Sequence, residues 1–363
     1  MNSRKILTKA AQGKSISVAE AVFLYRESPV NELLHTASEI RYNNIPEKRV
    51  SWQIDRNINY TNVCVSGCKF CNFHCTLSQK ELSYTIAIDE LFSKIDETIE
   101  AGGDQLLIQG GLHPNYDIKY YEELFKTIKE NYPFIKLNAL GPPEVTHIAR
   151  KSKLSVEETL KRLVKAGLDT LPGAGAEILS DRVRRLISPG KPSVKDWREV
   201  MEIAHRMGIG TTATMVYGHI ETMEERMEHL SLIRDIQSLK PREAPGFRAF
   251  ICWPMQTKGT KLELMAKMPQ LSVIEHLKMV AISRIMLNNI LHIQASWLTI
   301  GLEAAKLALH SGADDMGSIM IEEKVVSSAG ASEKADAPGI QKAIREAGFE
   351  PWLRGQDYNP RYL

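Results

Sequence analysis

Apolar positions along this chain change period several times. Over the first fifty residues they recur every three to four positions, the spacing of amphipathic helices. Ser17 and Glu20 bracket Val18-Ala19 as a capping box, in which a hydroxyl and a carboxylate satisfy the free N–H groups of a helix start. A second helical segment, 31–46, stops near Asn43, Asn44 and Pro46. Residues 1–50 are therefore expected to form an N-terminal helical cap. Beyond them, short β-branched and apolar runs alternate with helical patterns. Strands are expected at 56–63, 104–111, 134–141, 169–177, 210–219, 246–253, 292–297 and 312–318. Helical patterns at 88–103, 155–167 and 194–208 each close toward glycine, where a chain readily leaves a helix. Strands alternating with helices imply parallel βαβ units, and eight of them favour a closed (β/α)8 barrel of the α/β class over an open sheet. The barrel is expected over 51–320. Residues 321–363 read as a C-terminal extension packed on it, loop-like at 327–339 before a last helix.

Length agrees with this organisation: 363 residues exceed the roughly 250 of a typical barrel, leaving room for extensions without a second domain. Charge narrows the function classes. Forty-six basic against 44 acidic residues leave a net +2, with no electrostatic case for nucleic acid or a membrane surface. The N-terminus lacks a long apolar run, so neither a secretory signal nor a membrane span is expected, and the expected location is the cytoplasm.

The chemistry is concentrated in NYTNVCVSGCKFCNFHC. Cys64, Cys68 and Cys71 follow the first barrel strand with C-x3-C-x2-C spacing, on a loop at the end where barrel active sites form. Clustered cysteines point to a metal site rather than a disulfide framework. Thiolates are the usual ligands of iron–sulfur clusters, and three of them leave one iron of a [4Fe-4S] cube open. A structural zinc site is the alternative, although zinc sites usually pair two knuckles and only Cys252 stands apart here. A ferredoxin-type carrier would not account for a whole barrel. Cys75 is a fourth nearby thiol, read as buried or incidental.

The cysteine spacing, with Phe70 before the third cysteine, resembles the signature of the radical S-adenosylmethionine (SAM) superfamily. The runs 171–191, 211–222, 246–256 and 321–330 together resemble the futalosine-pathway enzymes of menaquinone biosynthesis, and Trp253-Pro254-Met255-Gln256 is similar to the cyclic dehypoxanthinylfutalosine synthase family within them. The family more often has Phe at the position of Met255. Aminofutalosine synthase is the alternative.

This resemblance implies a TIM-like barrel, a [4Fe-4S] cluster on Cys64, Cys68 and Cys71, and SAM bound to the open iron. Flavodoxin or ferredoxin is the implied electron donor. A 5′-deoxyadenosyl radical removes hydrogen from C4′ of the ribose of dehypoxanthine futalosine. The C4′ radical then adds to the benzoate ring, and loss of an electron and a proton restores aromaticity. Phe70, Gln109, Gly110, Gly111, Asn138 and Glu177 are expected around SAM. Thr214, His219, Gln256 and Arg185 are expected at the substrate, with Lys191 a further cation. His219 and Asp315 are the expected proton-transfer residues, and Glu322 a further candidate.

Overall fold

In a computed structural model, which describes residues 1–269 and 271–362, the core is a sheet of ten strands with only parallel pairings. They are β1 (Arg49–Gln53), β2 (Asp55–Asn59), β3 (Gln105–Gln109), β4 (Lys136–Ala139), β5 (Thr170–Leu171), β6 (Gly210–Tyr217), β7 (Phe247–Pro254), β8 (His292–Gln294), β9 (Asp315–Ser318) and β10 (Glu350–Leu353). The order is β10-β1-β9-β8-β7-β6-β5-β4-β3-β2. Only Ile54 separates β1 from β2, so these two are halves of one strand, and the sheet's ends are joined through it. Asp55 and Asn57 also exchange backbone hydrogen bonds with Ile321, beyond β9. The sheet thus closes into a barrel.

Two strands depart from expectation. β1 was not expected, because RVSWQ runs straight on from the helical cap and the first strand was read at 56–63, which is β2. β10 lies in the segment expected as a packed extension, yet it pairs in register with β1, from Arg49↔Glu350 to Trp52↔Leu353. The N-terminal segment does form helices, Ser3–Ala11, Val18–Glu27 and Val30–Asn44, and the Ser17/Glu20 capping box is present. The third packs along helix Val273–Met286. At its end buried Arg41 donates to the carbonyls of Ile45, Glu47 and Arg49, which fixes the turn into β1.

Side chains alternate along each strand between the lumen and the surrounding helices. β7 breaks the alternation once. Thr211 of β6 pairs with Phe247 but Thr212 pairs with Ala249, so Arg248 is an extra, bulged residue. Phe247 faces outward against Trp197 and His205, while Arg248, Ala249, Ile251 and Trp253 line the lumen. Cys252 is fully buried, and burial pushes its thiol up to about 12.

The floor of the barrel, at the strands' N-terminal ends, is closed by polar pairs. Arg354, just past β10, donates through Nε to Asp315 Oδ2 (2.6 Å) and through Nη1 to Gln53 Oε1 (2.6 Å). Ser51 and the Gly317 N–H also donate to Asp315. Tyr358 lies under the Arg354 guanidinium, 4.0 Å from ring centroid to carbon, and stacks on His292. No helix among the described residues is long and apolar enough to cross a membrane.

Candidate functional site

One cavity of about 440 Å³ runs through the lumen from the floor to the mouth. Its upper wall is the loop that follows β2. Val63 and Cys75 form a parallel bridge, the Cys64 N–H donates to Cys75 O (2.9 Å), and the Cys75 N–H donates to Asn62 O (2.9 Å). Residues 64–75 are therefore a loop pinched at its base. Cys64, Cys68 and Cys71 line the cavity, whereas Cys75 closes the base with its backbone, its thiol buried outside the cavity lining. The loop is braced from outside, since the Lys69 N–H donates to Ile187 O and the Leu262 N–H to Lys69 O.

The thiols' surroundings fit an iron–sulfur cluster. The Leu112 N–H points at Cys64 Sγ (3.2 Å) and the Ser66 N–H approaches the same sulfur (3.5 Å). Ser66 Oγ lies 3.0 Å from Cys64 Sγ and 3.3 Å from Cys68 Sγ. Donors aimed at sulfur stabilise the negative charge of a cluster and tune its potential. Burial, helped by the nearby Glu177 and Cys71, pushes the Cys68 thiol up to about 11, with Lys191 and the Ser66 hydroxyl opposing.

Glycines set how closely the next wall approaches. β3 runs into Gly110 and Gly111. A Cβ on Gly111 would sit 2.1 Å from Val63 O, and one on Gly110 would meet the Tyr60 ring at 2.7 Å. Only glycine lets this strand end lie against the cysteine loop. After β5, Glu177 adopts φ +40° and is buried. Lys191 Nζ donates to its Oε1 at 2.6 Å, and Arg184 lies 3.6 Å from Oε2, which has no hydrogen-bond donor. Burial opposes the charge on Lys191, but Cys68 and Glu177 outweigh it and hold its pKa above the usual lysine value. Its ammonium lies 5.3 Å from the Phe70 ring, a cation–π contact.

Phe70, Gln109, Gly110, Gly111, Asn138, Glu177, Thr214 and Gln256 all line the cavity with the three cysteines. Thr214 donates to Gly173 O, and Gln256 to Pro254 O. Four other expected residues lie elsewhere. Asp315 opens its strand at the floor, where Arg354, Ser51 and Gly317 saturate it, so it is a structural carboxylate away from the mouth. The His219 ring is buried behind the wall. Its Nε2 contacts Val216 O (3.1 Å) and its Nδ1 lies 3.0 Å from Glu221 Oε2, with burial lowering its pKa. Arg185 is exposed, one helical position away from buried Arg184. Glu322 pairs with Arg56, Lys94 and Lys324 outside the cavity.

Two charged groups stand out among the lining residues that escaped the sequence reading. Glu144, in the first turn of helix Pro142–Ser152, is buried and pushed up to about 7 by desolvation. Its signal was a carboxylate directly after Pro142-Pro143, a helix start. Arg248 is the other, a cation inside the otherwise apolar run GFRAFICW.

Comparison with known proteins agrees with this geometry. Residues 58–233 match the model described as "Radical SAM superfamily", and residues 244–363 match "CofH/MqnC C-terminal region". The chain is 45% identical to a cyclic dehypoxanthine futalosine synthase of Streptomyces coelicolor, over 97% of this chain and 87% of that one. It is 42% identical to the enzyme of that name from Halalkalibacterium halodurans (97% and 93%). It is also 40% identical to an Archaeoglobus fulgidus 5-amino-6-(D-ribitylamino)uracil–L-tyrosine 4-hydroxyphenyl transferase (90% and 93%). The fold is shared with methylornithine synthase (TM-score 0.72, 18% identity, 95% and 97% coverage) and with a maturase of the [FeFe]-hydrogenase (0.75, 18%, 96% and 76%). A closed parallel barrel, a cysteine loop at its mouth and near-full-length relatives place this chain in the radical SAM superfamily, in the branch that carries the CofH/MqnC C-terminal region.

Proposed function

We propose that this chain is a cyclic dehypoxanthine futalosine synthase, forming a carbon–carbon bond between ribose C4′ and an aryl ring within one substrate. The observation that carries the reading is 45% and 42% identity to synthases of that name over 97% of the chain. The cavity supports it, because it joins the cysteine loop to a lumen deep enough for a ribose-linked aryl group.

Cys64, Cys68 and Cys71 would hold a [4Fe-4S] cluster with one iron left open for SAM. When bound and reduced, such a cluster would supply the electron needed to split SAM into methionine and the 5′-deoxyadenosyl radical. The rest falls to the protein. Gly110 and Gly111 bring backbone polar groups against the cysteine loop, and Glu177 with Lys191 offers a carboxylate and an ammonium for the polar ends of SAM. Asn138 and Thr214 present amide and hydroxyl groups lower down, and Gln256 at the mouth. The barrel wall excludes water from a substrate radical and holds the two carbons near contact. Closing the ring and restoring aromaticity releases one proton and one electron, and the oxidised cluster left after SAM cleavage would be the acceptor for that electron. Glu144, whose pKa lies near neutrality, is the lining carboxyl suited to take that proton. Flavodoxin or ferredoxin would deliver the electron that starts turnover, in the reducing cytoplasm where such thiols persist.

The test is an anaerobic turnover assay of the reconstituted enzyme with SAM, a reductant and dehypoxanthine futalosine. A product two hydrogens lighter than the substrate, with free 5′-deoxyadenosine, is expected. Adenosine joined to an enolpyruvyl benzoate would instead identify an aminofutalosine synthase. Turnover only with tyrosine and 5-amino-6-(D-ribitylamino)uracil would place the chain with the transferases, which are 36–40% identical to it.

A further inference from the structure

Arg248 is placed in the lumen by two separate features. The β-bulge between Thr211 and Thr212 turns both Arg248 and Ala249 inward, where a regular strand would send one of them out. Gly210 lies opposite, and a Cβ there would sit 2.6 Å from Arg248 Nε. The absence of a side chain at 210 makes the space the guanidinium fills.

What the guanidinium lacks is a partner. Nε is buried without an acceptor, and among the described residues no carboxylate lies within ion-pair distance of Arg248. The other cation of the floor, Arg354, is neutralised by Asp315. Arg248 is half-buried: only Nε is shut off from water, and burial lowers the pKa of the guanidinium against the more distant Asp357 and Tyr358, so a carboxylate delivered into the cavity would meet a cation short of partners. Above Arg248 the same strand presents Ala249, Ile251 and Trp253, and Leu107 faces the cavity from β3. The cavity therefore joins an apolar slot to a planar donor fork, the shape and charge of an aryl carboxylate.

We infer that Arg248 is the specificity-determining anchor for the substrate's benzoate carboxylate, holding the aryl ring against the β7 wall while its other end reaches toward the cysteine loop. The inference rests on the cyclase reading for the identity of the acid. A carboxylate replaces the missing partner, and a bidentate fork fixes the ring's orientation as well as its position. Ring orientation decides which aryl carbon meets C4′.

The experiment is calorimetric titration of the reconstituted, unreduced, SAM-loaded enzyme with dehypoxanthine futalosine and with its carboxamide analogue. Iron content and thermal midpoint report folding. The wild type is expected to bind the acid about 30-fold more tightly than the amide, the scale of a charge-assisted pair. R248M is expected to bind both at the amide's level, and R248K to keep only part of the preference because it loses the fork. A wild type without acid preference, or an R248M or R248K protein that keeps it in full, overturns the assignment. If R248M does not fold, R248K decides on the same criterion. Failure of the cyclase reading shows separately, as absence of product from dehypoxanthine futalosine. In that case 3-acetylbenzoate and 3-acetylbenzamide serve as probes: acid preference lost in R248M supports the anchor, and equal binding of the two by the wild type overturns it.

Discussion

The ion pair at the barrel floor makes a sharp prediction, because Asp315 was expected from sequence as a proton-transfer residue and the structure gives it a different task. Replacing Arg354 with Met removes the guanidinium but leaves the Asp315 carboxylate fully buried, with only Ser51 and the Gly317 N–H as donors. Breaking one side of such a pair costs about 3–5 kcal/mol. At roughly 2.1 cal/mol/K per residue, the unfolding entropy of a 363-residue chain is about 0.8 kcal/mol/K, so the midpoint should fall by about 4–7 °C. Asp315→Asn should also lower it, by stranding the Arg354 charge. The double variant should lose clearly less than the sum, because neither charge remains to be stranded. Thermal scans of cluster-free proteins at one scan rate measure all three. Single variants within about 1 °C of wild type, or losses that add fully, would refute the floor-pair argument. An Asp315→Asn protein with an unchanged midpoint and no cyclisation would return Asp315 to the chemistry.

Three further outcomes follow from the same structure. Replacing Cys64, Cys68 or Cys71 with Ala should abolish both iron retention and 5′-deoxyadenosine release, whereas Cys75→Ala should keep both. Loss of SAM cleavage in Cys75→Ala would show that the loop holds the cluster with four thiols. Gly111→Ala should deplete iron in the reconstituted protein, since its Cβ would press on Val63 O at 2.1 Å; full iron loading would show that the loop yields. Glu144 titrates above its unfolded value, at about 7 against 4.5. Its contribution is therefore fully present below about pH 4.5 and is lost as pH rises through 7. Glu144→Gln should exceed the wild type in urea denaturation by under about 1 kcal/mol at pH 5 and by about 3 kcal/mol at pH 8, and an equal difference at both would disprove the shift.

The barrel was legible because eight of its strands, β2 to β9, fall in runs bounded by helices and turn residues. β1 was not, since Arg49–Gln53 follows a helix with no break in pattern, and β10 contains Pro351, which argues against a strand except beside an edge. The cysteine loop and the glycine-rich strand ends were legible because their spacing is itself the geometry. Depth and facing were not. Asp315 starts its strand rather than ending it, and Arg185 misses the interior by one step of helical phase. His219 follows a lumen strand but turns behind Glu221. Arg248 was hidden for a different reason: its inward aim comes from a register shift between β6 and β7, which belongs to two strands together and is written in neither alone.

The pairing of β10 with β1 has a consequence for biosynthesis. Strand 350–353 lies beside strand 49–53, so about three hundred residues must leave the ribosome before the floor can be sealed. At roughly 5–20 residues per second, the nascent barrel spends some 15–60 s without its last strand. During that interval one flank of β1 offers unpaired backbone groups to any neighbouring strand. Arg354 is made after Asp315, so that carboxylate awaits its cation. Sealing of this floor thus waits on a strand made about three hundred residues after its partner, and until then the growing chain carries an open edge prone to aggregation.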